Sequence, residues 1–231
     1  MELNNLDIVY VLKCGRYEDC DELRFSLRSL DNIPHRDVHI FGDKPDWVRH
    51  IIYHDFAQVE ERWANVNKLL KCACYDQSVT DDFILMNDDF YILSAIDDVP
   101  YYADETLMDR YNEIAKEYEN ESLYQRGLKQ ASEALSEAHK PTYNFELHIP
   151  IILNKKKLLP IVKKYPKSCA RRSLYCNIYG IKPVKHKDVK IYDPEARNLP
   201  TDFLSSNDGK FTGSLREFVE SRFPNKCKYE E

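Results

Sequence analysis

The chain has 231 residues, 43% hydrophobic and 31% charged, with a formal net charge of −6. That length holds one large core or two small ones, and the absence of an apolar run of about 18 residues excludes a membrane-spanning helix. The acidic balance excludes a global field that would gather nucleic acid.

Leu6 to Leu12 is nearly all apolar, the pattern of a central strand covered on both faces. Asp19 to Leu30 has Leu23, Leu27 and Leu30 at helical spacing, with Asp19 or Asp21 as N-cap. Val38 to Phe41 reads as a second strand ending in the turn Gly42-Asp43-Lys44-Pro45, and His50 to His54 as a third. Glu60 to Tyr75 reads as a helix with Trp63, Val66, Leu69, Leu70 and Ala73 inward. Phe83 to Met86 is the next strand. The order β-α-β-β-α-β within 90 residues predicts an α/β fold with a mostly parallel mixed sheet flanked by helices. Residues 104–140 form a charged helical insertion, interrupted at Ser122 or Gly127, expected as a projecting hairpin or cover. Phe145 to Leu153 alternates like a strand, Lys155 to Tyr165 is a helix, and Ser173 to Ile181 is helix or strand. Residues 193–213 read as loop, with Ser205-Ser206-Asn207-Asp208 as a turn, and Ser214 to Phe223 as a final amphipathic helix. One domain over residues 1–231 is expected.

Met1 to Asp7 has neither a basic region nor an apolar core, so no signal peptide is expected, and the cytoplasm is the expected compartment. The seven cysteines are then expected to be reduced. Only six glycines occur, and no Gly-rich phosphate loop is among them.

The chemistry concentrates at Asn87-Asp88-Asp89. Four apolar residues run into this trio and an apolar run follows, so two carboxylates stand at the end of a buried strand. Carboxylates leave water at a cost unless something pairs with them. A divalent metal holding a phosphate is one partner, with Asp89 the expected ligand and Asp88 directed at a sugar or a bridging water; an Asx-rich turn is the plain alternative. Arg24 and Arg28 lie at i and i+4 of one helix, where two guanidinium groups either grip phosphate oxygens or pair with Asp21 and Glu22. Glu146 and His148 fall on one face of an extended segment, a pairing suited to general-base work. Arg171 and Arg172 are candidates to neutralise a leaving diphosphate, and His186 is a candidate second metal ligand. Lysines gather in residues 155–190, a surface that suits phosphates of a donor or a polyanionic acceptor.

Taken together, DELRFSLRSL, VHIFGDKPDWV with IIYHDF, and FILMNDDFYIL resemble the Stealth-type sugar-phosphate transferases of capsule synthesis and lysosomal-enzyme tagging. LHIP and CARRSLY extend the resemblance more loosely over residues 144–180. The resemblance implies a GT-A-like domain acting on a nucleotide-sugar donor with Mn²⁺ or Mg²⁺. Asp89 and His186 would hold the metal. Arg24, Arg28, Asp43, Asn87, Arg171 and Arg172 would bind the donor, and Asp88, Glu146 and His148 would act at the reacting centre. The expected activity is glycosyl transfer to an acceptor hydroxyl of a glycan, glycopolymer or modified DNA. Sugar-1-phosphate transfer and a non-catalytic binding module are the alternatives.

Overall fold

Asp7–Leu12 forms β1, and every residue but Val11 is buried. Its neighbours explain this: β2 (Val38–Gly42) and β4 (Asp82–Met86) pair with it in parallel on either side. The computed structural model describes residues 2–13, 20–117, 119–195, 199–207 and 209–231, so Asp19 and Asp208 lie outside the described residues. β3 (Ile52–Asp55) extends the sheet beyond β2, and β7 (Ile151–Asn154) closes the other edge antiparallel to β4. The order β3-β2-β1-β4-β7 is a mixed five-stranded α/β sheet.

Side chains alternate across β1, β2, β4 and β7, so each of these strands feeds two cores, whereas β3 is largely exposed. Ile8, Tyr10, Ile40, Ile84 and Met86 meet Leu23, Leu27 and Leu30 of α1 (Asp21–Ser29) and the turn after it. Val9, Phe41, Phe83 and Leu85 meet α2 (Arg62–Tyr75) and residues from four later helices. These are α3 (Leu107–Glu117), α4 (Leu123–Glu137), α5 (Lys155–Lys164) and α6 (Arg171–Ile178). A third cluster joins Tyr91 of β5 (Phe90–Ile92), Leu204 of β10 (Phe203–Ser206) and Leu215 of α7 (Gly213–Arg222). Between these elements run β6 (Tyr102–Ala103), β8 (Val184–Lys185) and β9 (Lys190–Ile191). β10 pairs with both β5 and β9, and β6 pairs with β8. Among the described residues there are seven α-helices, none long and apolar enough to cross a membrane.

Several expectations are corrected. α1 starts at Asp21 with Cys20 as its N-cap. Phe145 to Pro150 is not a strand: Phe145, Leu147 and Ile149 alternate because they are buried, while the Leu147 and Ile149 carbonyls accept from Arg172 at 2.7 Å each instead of from a neighbouring strand. The short β10 lies inside the segment read as loop, and its four residues are all buried. The insertion is anchored to the main core through α4, while most of α3 is exposed or half-buried. Ser122 does interrupt the insertion, as the N-cap of α4 in a capping box with Gln125. Leu128, Ala131 and Leu135 of α4 recur on one face and enter the main core. Cys72, Cys74, Cys169, Cys176 and Cys227 are free, but Cys20 is disulfide-bonded, so not all seven thiols are reduced. An odd count requires one unpaired thiol, not seven.

Gly127 explains how closely α4 approaches the segment before α6. A Cβ there would lie 2.4 Å from Cys169 Sγ. Overpacking costs about 1–3 kcal/mol, against about 1 kcal/mol gained in helix propensity on replacing Gly. Gly127→Ala is therefore expected to destabilise the fold by about 1 kcal/mol in urea unfolding, and Cys169→Ala added to it to restore stability. A more stable Gly127→Ala single variant would contradict this packing.

The residues near the C-terminus are tied to α1. Glu230 accepts from Arg24 Nη1 at 2.8 Å, Arg28 Nε at 2.7 Å and Arg28 Nη2 at 2.8 Å, with its side chain fully buried. Arg28 also donates to the Phe223 carbonyl at 2.7 Å, and Arg24 lies 4.1 Å over the Trp47 ring. Burial raises the Glu230 carboxyl, but the two arginines pull it further down, to about 2. Its folded value lies below the ordinary 4.5, so the stabilisation is complete above about pH 4.5 and lost as pH falls towards 2. Glu230→Gln is expected to cost about 2–3 kcal/mol at pH 7. Its unfolding free energy should then vary less than that of the parent between pH 5 and pH 3, on the order of the Glu230 contribution.

Candidate functional site

The strand β4 ends at Met86, and Asn87-Asp88-Asp89-Phe90 turns the chain into β5, with Phe90 N–H donating to Asn87 O at 3.2 Å. The trio is thus a turn, as the plain alternative had it, but a half-buried one, and Asp89 is only 8% exposed. This turn forms part of the wall of a cleft of about 310 Å³ at the carboxyl end of the sheet. That volume is at the lower end of small-ligand sites, and open α/β sheets place ligands at this edge.

Seven predicted site residues line the cleft: Asn87, Asp88, Asp89, Glu146, His148, Arg171 and Arg172. Four do not. Arg24 and Arg28 hold Glu230, as above. Asp43, after β2, is outside the lining; its backbone N–H bonds Leu12 O at 3.0 Å. Gly42 before it needs its glycine, because at φ +112° a Cβ would lie 2.2 Å from that same carbonyl oxygen. His186 packs against Tyr102 with ring centroids 4.6 Å apart and the planes tilted by 52°, and its Nδ1 lies 2.6 Å from Lys187 O.

His148 is held by a partner that sequence reading missed. Its Nδ1 lies 2.8 Å from Asp188 Oδ2, and its backbone N–H donates to Asp188 Oδ1 at 3.0 Å. Burial raises the Asp188 carboxyl, but the His148 hydrogen bond and charge lower it more, to about 2. An ionised Asp188 beside Nδ1 favours a proton on that nitrogen, so in the neutral imidazole the lone pair falls on Nε2. Glu146 accepts from Ser173 N–H at 2.8 Å at the start of α6, so this carboxylate anchors the helix that carries both arginines.

The arginines differ. Arg172 gives Nη1 to two carbonyls and lies over Phe90; burial pushes its guanidinium down to about 10. Arg171 is 7% exposed, and its Nε and Nη1 have no hydrogen-bond partner among the described residues. Burial lowers its pKa as well, with Glu146 the main opposing charge. Buried donors without partners are rare in folded proteins, and each calls for an explanation.

Other lining residues were not singled out as site residues: Glu22, Arg62, Trp63, Arg110, Tyr124, Lys190 and Tyr192. Arg110 and Tyr124 come from the insertion, which therefore forms a wall of the cleft. Arg110 donates to Glu113 and reaches Tyr192 Oη at 3.4 Å. Asp89 Oδ2 accepts from Ser205 Oγ at 2.9 Å and lies 3.3 Å from Lys190 Nζ.

The expected metal pair does not assemble. Asp89 already faces an ammonium, His186 is not in the lining, and among the described residues no three His, Cys, Asp or Glu groups converge as ion ligands. No protein-family model matches the chain, and no curated protein matches its sequence.

Proposed function

We propose that the cleft binds a nucleotide-sugar donor and transfers its sugar to an acceptor hydroxyl, within a GT-A-like fold. The observation that carries this reading is the orphaned, buried guanidinium of Arg171 in the same cleft as the Asp188-held imidazole of His148. A guanidinium with free donors suits a phosphate oxygen, and an oriented imidazole suits a hydroxyl proton. In this reading Asp88, a lining residue of the cleft, accepts from sugar hydroxyls. Trp63, Tyr124 and Tyr192 add aromatic surface to the lining, which suits a sugar or base. As the acceptor oxygen bonds to the anomeric carbon, its proton passes to His148 Nε2. The bond from that carbon to the phosphate oxygen breaks, and a nucleoside diphosphate leaves with its charge beside Arg171.

A second reading rests on the same pair, His148 and Arg171, lining one cleft. Here the acceptor oxygen attacks the sugar-bearing phosphorus, the diphosphate bridge breaks, and a nucleoside monophosphate leaves. Incubation with a panel of nucleotide sugars and hydroxyl acceptors, followed by anion-exchange separation of the nucleotides, tests both. Release of diphosphate supports the first reading and monophosphate the second. If no nucleotide sugar raises the melting temperature and none is consumed, both fail.

A further inference from the structure

Asp89 has a cation, and the cation belongs to the protein. Lys190 Nζ lies 3.3 Å from Asp89 Oδ2, with side-chain exposures of only 9% and 11%. The arrangement is built by strands rather than by a loose surface lysine. Lys190 of β9 is the register partner of Ser205 of β10, and Ser205 Oγ bonds the same carboxylate oxygen at 2.9 Å. One ladder thus delivers both the ammonium and the hydroxyl to Asp89. A divalent ion on this carboxylate would meet a fixed positive charge, and the described residues supply no triad of acidic, His or Cys ligands to outweigh it. The same cleft holds Arg171, 7% exposed, with two donors unused.

We propose that Lys190 takes the part a divalent metal would play, so that the donor's diphosphate is held by the Lys190 ammonium and the Arg171 guanidinium without a metal ion. Asp89 then acts as a positioning residue: it fixes the lysine and offsets its burial until phosphate arrives. This rests on the donor reading above, and it reverses the metal requirement expected from the sequence.

Calorimetric titration of the full chain with ADP, GDP, UDP and CDP, each in EDTA and in excess Mn²⁺, tests it. The nucleotide that binds is expected to show a Kd equal within about threefold in the two conditions. Lys190→Ala is expected to weaken binding in EDTA by about 10–100-fold, and Mn²⁺ to recover part of that loss, because the bared Asp89 carboxylate can then take an ion. Tenfold or greater tightening of the parent protein by Mn²⁺ would overturn the proposal, as would wild-type affinity of Lys190→Ala in EDTA. The parent comparison decides the matter even if the variant does not fold. Binding that occurs only with Mn²⁺ defeats this inference alone, whereas no binding in either condition defeats the donor reading and this one with it.

Discussion

Replacing His148 with alanine is expected to lower kcat about a thousandfold while donor affinity stays within about threefold. The imidazole is poised rather than merely present. Asp188 accepts at Nδ1 at 2.8 Å and also takes the His148 backbone N–H, so the ring and its backbone are fixed by one carboxylate. Asp188→Asn supplies the control. An amide that donates to Nδ1 would force the proton onto Nε2 and remove the lone pair that the proposed reaction needs for the hydroxyl proton. That variant should lose about 10²–10⁴-fold in kcat with the fold intact. Asp188 is held at about 2, below its ordinary 3.8, so it stays ionised throughout the usual assay range. Its stabilising contribution is present above about pH 4 and fades only as pH falls towards 2. A pH–rate limb between pH 5 and 9 therefore belongs to a group other than Asp188. Full activity of His148→Ala in a working assay would remove the imidazole from the chemistry.

The second large effect is a trade of stability against binding. Arg171→Met keeps the length of the side chain and removes a charge whose Nε and Nη1 are buried without partners. An unsatisfied buried donor costs about 1–3 kcal/mol, so the free variant is expected to melt higher than the parent. Its affinity for the nucleotide product should fall about 100-fold or more, since the anion loses its bidentate partner. Differential scanning calorimetry with and without nucleotide reads both changes at once. A higher melting point with unchanged affinity would make Arg171 a structural oddity, and a lower one would show that its charge is satisfied in the folded chain.

The framework was legible because periodicity is physical. β1 reads as apolar on both faces since parallel neighbours and helices cover it, and β1 to β4 with α1 and α2 fall where the pattern puts them. The alternation of Phe145, Leu147 and Ile149 reported burial correctly and pairing wrongly, because burial pattern alone does not say who takes the backbone hydrogen bonds. Asp88, Asp89, Glu146, His148, Arg171 and Arg172 could be singled out because charge beside an apolar run is unusual. Asp188 and Lys190 could not: they sit in the polar run Lys185 to Lys190, and only the fold turns two of those side chains inward. Arg24 and Arg28 show the converse. Their spacing is right for an anion, and the anion is Glu230, some 200 residues further on.

That last distance has a kinetic side. His148 and Asp188 are 40 residues apart, Asp89 and Lys190 are 101, and Arg28 and Glu230 are 202. The Asp89–Lys190 and Arg28–Glu230 contacts close longer loops than the pairing of β1 with β4, so these two are expected to form in the later part of folding. The β1–β4 half can gain its sheet and protected amides while the cleft is still open chain. Binding competence should therefore return with the slowest refolding phase, after the sheet amides are already shielded from exchange. Partly folded chains would then look structured by circular dichroism and yet be unable to hold a ligand.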